Sequence, residues 1–405
     1  MQLRHLLPAF LAMYSAQAAP APLEDAVNSF AERDAALSSM YIPASTFQTD
    51  VLAAQGLVNL AVYQITHPSG KCNLLNAAIR REWSTLSKQE RRAYIDAELC
   101  LMSKPSKDPE FAAGAKTRYD DFVAVHINQT LSIHGTANFL SWHRYFTWAF
   151  EQALRNECGY TGYQPYWNWG KYAFDPLNSP LFDGSEYSMS GNGEYAPHNC
   201  TNAITTSLNC IPPGSGGGCV KTGPFKDYVV NLGPVSPTLQ VPGIIDYKSD
   251  DPLAYNPRCL RRDISSWVSS NWTKDSDVYD LISNYHDILS FENRMQGNFT
   301  AGFYGVHTAG HFTTGGDPGG DLFASPAEPT FFLHHAQIDR TWWIWQNQDL
   351  KNRGNAFAGG TSTLDPTGSP PGKLTDPIIM GSLADDVTNQ DVMSTTGGPL
   401  CYIYV

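Results

Sequence analysis

His307 and His311 stand four residues apart in GVHTAGH, with only Thr308, Ala309 and Gly310 between them. On a helix, positions i and i+4 share a face, so both imidazoles can reach one metal ion. Such a pair alone is a weak signal. Of the eleven histidines in the chain, four more strengthen it. His126, His134 and His143 lie close together, and His335 sits in PTFFLHHAQIDRTWW. His143 shares an apolar face with Phe139, Phe146, Phe150 and Leu154, where an unpaired polar ring is costly and must hydrogen-bond or bind a metal. His334 points about 100° away from His335 around the helix, so the two do not easily serve one ion. His335 is the chosen third ligand because Phe331 and Asp339 share its face. Phe331 could wall the site, and Asp339 could hold an imidazole or an arginine such as Arg144 or Arg340. His67, His198 and His286 stand away from any ligand cluster and read as ordinary surface or core histidines.

Two sets of three imidazoles narrow the chemistry. A zinc protease needs H-E-x-x-H with the glutamate as general base, and no glutamate lies between His307 and His311. No carboxylate stands at facial-triad spacing for non-haem iron. Three-imidazole sites that keep an open position suit copper, which tops the divalent affinity order. If two such ions face each other, one dioxygen can bridge them and accept two electrons together.

Four helices must bring these rings to one place. Helical periodicity runs through TRYDDFVAVHI (117–127), through 138–157 with Asn138 as cap, and through 330–348 behind Glu328 and Pro329. A shorter helix must carry His307 and His311, while His134 falls in the SIHGTAN connection. The stretches between are loops: CIPPGSGGGC (210–219), expected to be stapled at its own ends, the GGDPGG turn (315–320), and LDPTGSPPGK (364–373). None has the composition of an interdomain linker, so one mainly helical domain with long loops and minor β is expected.

Composition agrees with a packed enzyme body. Hydrophobic residues make up 42% of the 405 and charged residues 16%, which argues against disorder. The net charge of −12, with no long basic run, repels phosphate backbones and excludes nucleic acid as partner. Residues 1–18, MQLRHLLPAFLAMYSAQA, have the basic start, short apolar run and small-residue exit of a secretory signal peptide, which also removes His5. No stretch is long and apolar enough to span a bilayer, so a secreted protein without a membrane anchor is expected. Eight cysteines, none in C-x-x-C spacing, then read as disulfides. Asn128, Asn199, Asn271 and Asn298 each precede Thr by two residues and are glycosylation acceptors.

Taken together, His126, His134, His143-Arg144-Tyr145, the His307/His311 pair and PTFFLHHAQIDRTWW resemble the type-3 copper family of tyrosinases, catechol oxidases and haemocyanins. PYWNW (165–169) and the closing CYIYV, with Tyr402 and Tyr404, are similar to segments of that family, in particular its short secreted fungal tyrosinase/catechol oxidase group. The resemblance implies a four-helix bundle over 19–405 without a C-terminal shielding domain. It implies one copper on His126, His134 and His143, a second on His307, His311 and His335, and dioxygen as co-substrate. It places Phe331, Thr308, Phe312 and Leu322 at the substrate, with Asp339 and Arg144 supporting the ligands. A small phenol would lie with its ring against His335 and Phe331.

The chain departs from the family pattern in ways that bear on the reaction. Ser132 stands two before His134, so no cysteine thioether to that histidine is expected. Thr308 stands where strong tyrosinases often carry Asn. No acidic residue lies between Glu292 and His307 to orient water, although Gln296 is a substitute. These departures favour oxidation of o-diphenols to o-quinones, with weak monophenol hydroxylation. The rival readings are a tyrosinase with strong monophenolase activity, a reversible oxygen carrier, a single-site zinc hydrolase and a metal-free structural glycoprotein. Catechol turnover, metal content and oxygen consumption separate them.

Overall fold

Two of the long helices begin at a capping box, and the long helices continue where buried residues recur at three- and four-residue spacing. The computed structural model describes residues 41–67, 71–202, 210–243, 250–365 and 368–405. The proposed signal peptide lies outside them. Helix α1 spans Phe47–Thr66. Helix α2, Lys88–Ser103, opens with a capping box in which Ser87 and Glu90 satisfy each other's backbone N–H groups. Helix α3, Arg118–Ile133, opens the same way with Thr117 and Asp120. It runs past the expected end at 127, because Ile127, Thr130 and Ile133 continue the buried face. His134 therefore caps this helix instead of lying mid-loop. Helix α4, Phe139–Cys158, stops at Gly159, whose left-handed φ of 68° costs glycine nothing. Asn138 occupies its N-cap position without making the side-chain cap bond.

Helices α5 (Ser266–Trp272), α6 (Asp275–Asn284) and α7 (Ile288–Gln296) lead to α8 (Gly305–Thr314), which carries GVHTAGH, and to α9 (Phe331–Gln348). Every residue of α9 except Gln348 is buried. A buried charge on such a helix needs partners, and Asp339 accepts from three, Arg144, Tyr402 and Tyr404. Helices α1, α4 and α8 pack against α9, while α2 and α4 pack against α3. The result is mainly helical, as the sequence implied.

Strand content is confined to short pairs. Ala78–Arg80 runs parallel to Tyr402–Tyr404, and Cys72–Cys401 closes that junction. Cys100–Cys158 ties α2 to the end of α4. The 210–219 loop is not stapled to itself. Cys210 pairs with Cys200 and Cys219 with Cys259. The reason is strand pairing: Thr201–Asn202 lies antiparallel to Cys210–Ile211, and Cys219 bridges to Arg261 in the neighbouring segment. Residues Pro43–Val405 form one compact unit. Among the described residues no helix is long and apolar enough to cross a membrane.

Candidate metal centre

The first trio is built by α3 and the start of α4. His126 Nδ1 donates to the Phe323 carbonyl (2.7 Å), His134 Nδ1 to Thr130 (3.0 Å) and His143 Nδ1 to Phe139 (2.8 Å). A carbonyl can only accept, so each neutral ring carries its proton on Nδ1 and its lone pair on Nε2. His126 Nε2 and His143 Nε2 are buried with no hydrogen-bond partner. One ligand atom from each of the three rings lies within 4.8 Å of the others. Orphaned buried acceptors are costly, and an all-imidazole set with converging lone pairs fits a copper ion.

The second group is built by α8 and α9. His307, His311, His334 and His335 bring ligand atoms within the same 4.8 Å. His335 Nε2 lies 3.2 Å from His311 Nε2, and both ring nitrogens of His307 are buried without partners. The fourth ring differs: His334 Nδ1 accepts the indole N–H of Trp169 at 3.1 Å. Gly310 makes the approach of α8 to α9 possible, since a Cβ there would fall 2.2 Å from His334 Cε1. The two groups face each other, with His143 stacked on His335 at 4.5 Å between centroids and His134 6.0 Å from His307.

Burial lowers the pKa of all seven rings, His134 to about 4 and His334 to about 3. Neighbouring histidines add to the effect at His126, His143, His307, His311 and His335. Neutral imidazoles are the form that binds metal.

A cavity of about 490 Å³ opens onto His134, His307 and His311. Phe299, Phe312, Leu322 and Pro237 supply apolar walls, and Gln296 and Thr308 polar ones. Size and lining suit a small aromatic ligand. Among the described residues Asp321 is the one carboxylate in the lining, and its oxygens are taken. Oδ1 accepts the N–H groups of Phe323 and Ala324, and Oδ2 those of Val235 and Ser236.

A profile of the common central domain of tyrosinase matches residues 116–348, which span α3 to the end of α9 and hold all seven clustered histidines. The chain belongs to the tyrosinase family. It is 41% identical to Tyrosinase P of Aspergillus terreus over 347 residues, 83% of this chain and 94% of that protein. It is 38% identical to an N-acetyl-6-hydroxytryptophan oxidase of Emericella nidulans over 82% of this chain and 94% of the relative. The fold superposes on a polyphenol oxidase of Thermothelomyces thermophila with a TM-score of 0.81 and 40% identity, covering 88% of this chain and 98% of that one. The protein is therefore a copper oxidoreductase of the tyrosinase type, and enzymes of this family act on phenols.

Within this tyrosinase-family site the remaining residues are placed as follows. Thr308, Phe312 and Leu322 line the cavity. Phe331 does not. It is 2% exposed and packs beneath both groups, with centroids 5.5 Å from His126, 5.7 Å from His311 and 4.2 Å from His335. His335 is equally enclosed and likewise absent from the lining. Phe331 and His335, the residues expected against a phenol ring, both lie in the buried part of α9 and outside the cavity lining. Of the two partners expected for Asp339, an imidazole or an arginine, it has the arginine. It accepts from Arg144 Nε (2.5 Å), Tyr402 Oη (2.6 Å) and Tyr404 Oη (2.7 Å). Arg340 turns away to Asp50. Asp339 and Arg144 thus clamp α4, α9 and the C-terminal strand without touching a ligand ring.

Sequence reasoning missed two contributors, Trp169 and Thr363, and named Gln296 only as a substitute for a water-orienting acid. Trp169 comes from PYWNW and contacts His334. Gln296 accepts the N–H of Gly135, beside His134, at 2.7 Å. Thr363 donates to the His134 carbonyl. Only Trp169 carried a signal, through the family-like segment in which it stands. His67 stacks on Tyr63, His198 bonds to Asp263, and His286 accepts from Arg353, so none joins the centre. Every cysteine in the described residues is in a disulfide, which leaves none for a thioether. Asn128, Asn199, Asn271 and Asn298 are all exposed.

Proposed function

We propose that the protein is an o-diphenol oxidase. His126, His134 and His143 would hold one copper ion, and His307, His311 and His335 a second. When bound, the copper pair would supply four-electron reduction of dioxygen to two waters, coupled to oxidation of two diphenols to two o-quinones. The observation that carries the reading is the set of three Nδ1–H···O=C bonds that aim the Nε2 lone pairs of the first trio at one another.

The chain's own groups do the rest. Phe299, Phe312 and Leu322 hold the substrate ring and keep water from its face. Gln296 fixes the Gly135 N–H and so the end of α3 that carries His134. Thr308 donates to the Gln296 carbonyl at 2.8 Å and pins α8 to α7. Among the described residues the cavity offers no free carboxylate to take a proton from a monophenol, because Asp321 is occupied by four backbone N–H groups. Glu292 is buried, its carboxyl pushed well up by desolvation, and it does not line the cavity. This supports diphenol oxidation over monophenol hydroxylation. The four disulfides and the exposed sequons support a secreted, glycosylated protein.

The test is metal analysis of the purified protein followed by parallel assays with 4-tert-butylcatechol and tyrosine. Two coppers per chain and catechol oxidation without tyrosine hydroxylation are expected. Rapid tyrosine hydroxylation would overturn the preference for diphenols; a copper-free active protein would overturn the whole reading.

A further inference from the structure

Distance alone does not separate His334 from the ligands of the second group. Its ring centroid lies 4.4 Å from His311 and 5.0 Å from His335, as close as His307 and His311 are to each other at 4.9 Å. A fourth imidazole on that ion would fill the position a catalytic site must keep open. We infer that Trp169 is a positioning residue that withholds His334 from the metal by fixing which of its nitrogens carries the proton. The inference rests on His307, His311 and His335 being the ligands of the second ion.

The logic is one of donors and acceptors. An indole N–H can only donate. His334 Nδ1, 3.1 Å away, must therefore accept, and the proton of the neutral ring sits on Nε2. The Nδ1 lone pair is spent on Trp169 and Nε2 has none to give. In the first trio the partners are carbonyls, which can only accept, and they set the opposite pattern with Nε2 free. Within the second group His334 is thus the ring held by an N–H donor, whereas both nitrogens of His307 and Nδ1 of His335 have no partner.

The arrangement is rigid. His334 and Trp169 are 2% and 1% exposed. Gly310 lies against the His334 ring, where even a Cβ would not fit. Trp169 opens the short helix Trp169–Tyr172, and Gly170 next to it is packed against the Asp275 backbone and Thr46. Neither ring can turn without shifting α8 or this segment.

The first measurement is a long-range 1H–15N correlation spectrum of the metal-free protein. His334 is expected as the Nε2–H tautomer, and His126, His134 and His143 as Nδ1–H. An Nδ1–H tautomer at His334 overturns the inference. The second uses cobalt(II) as a spectroscopic stand-in for copper. His334→Phe should leave the cobalt absorption bands as in the wild type. Trp169→Phe frees the His334 lone pair, so its bands should change and cobalt release to a chelator should slow about tenfold or more. The double variant should return to wild-type bands. Bands altered by His334→Phe alone, or Trp169→Phe indistinguishable from wild type, overturn the inference. If Trp169→Phe does not fold, the tautomer spectrum decides. Full cobalt loading in His311→Ala overturns the ligand assignment and the inference with it, while leaving the tautomer result standing as a structural fact.

Discussion

Asp339 Oδ1 accepts the Nε–H of Arg144 at 2.5 Å, with 2% and 0% of the two side chains exposed. Arg144 stands next to His143 on α4, and Asp339 one turn beyond His335 on α9. The pair therefore fixes how the helix of the first trio lies against the helix of the second. Tyr402 and Tyr404 add hydrogen bonds to the other oxygen, and Arg80 lies 3.5 Å from it.

Asp339→Asn should be strongly destabilising. Removing one charge leaves Arg144 buried and uncompensated, a change that costs about 3–5 kcal/mol. Thermal unfolding should show a large fall in Tm, while copper stoichiometry stays at two per folded chain. Loss of copper without loss of stability would show that Asp339 supports a ligand directly. Tyr404→Phe removes one hydrogen bond to the carboxylate and should cost about 1–3 kcal/mol.

Replacing a ligand should act on the metal instead. His143→Ala and His311→Ala should each reduce metal content from two ions to one, the lost ion differing between them. Diphenol oxidation should fall by more than the roughly 10–100-fold typical of changes outside the ligand set, with little change in Tm of the metal-free forms. Either variant retaining full activity would remove that histidine from the ligand set.

The metal-free protein should be acid-labile in a defined window. The clustered histidines are neutral when folded because burial lowers their pKa, His134 from 6.5 to about 4. Unfolding lets them take up protons below pH 6.5. Their contribution is therefore fully present above pH 6.5 and is lost as pH falls toward 4. For His134 alone the loss is up to about 3 kcal/mol. Denaturant titrations at pH 7, 6, 5 and 4 should show falling stability, and a flat profile would mean the rings are already charged in the folded chain.

Leu322 stands 41% exposed at the cavity. Leu322→Ala removes apolar contact common to bound substrate and transition state. KM for 4-tert-butylcatechol should rise a few-fold to about tenfold with kcat little changed. A fall in kcat at constant KM would place Leu322 at the reacting atoms.

The ligand histidines were legible because their spacing and apolar surroundings are local. Residues i and i+4 share a helix face, and a polar ring among phenylalanines needs a partner wherever the chain goes. The start of α3 was legible in TRYDDF for the same reason, since the Thr117–Asp120 cap spans three residues. Its end was not, because exposed Asn128 and half-buried Gln129 interrupt the apolar pattern while Ile127, Thr130 and Ile133 remain buried. Choosing His335 over His334 was a local inference from faces of one helix. In three dimensions a different feature supports the same choice: a tryptophan 165 positions earlier in the chain donates to His334.

The sequence by itself determined the residue types, the helical registers that present the six rings, and the family. Those follow from short-range periodicity and motif spacing. Tertiary structure decided what the rings and carboxylates touch. It turned Phe331 inward, chose Arg144 among the partners open to Asp339 and added two tyrosines, and paired Cys210 with Cys200 and Cys219 with Cys259. It also set which nitrogen carries the proton in His126, His134, His143 and His334. Those outcomes depend on which donor or acceptor from a distant segment arrives at each atom, and no periodicity along the chain encodes that meeting.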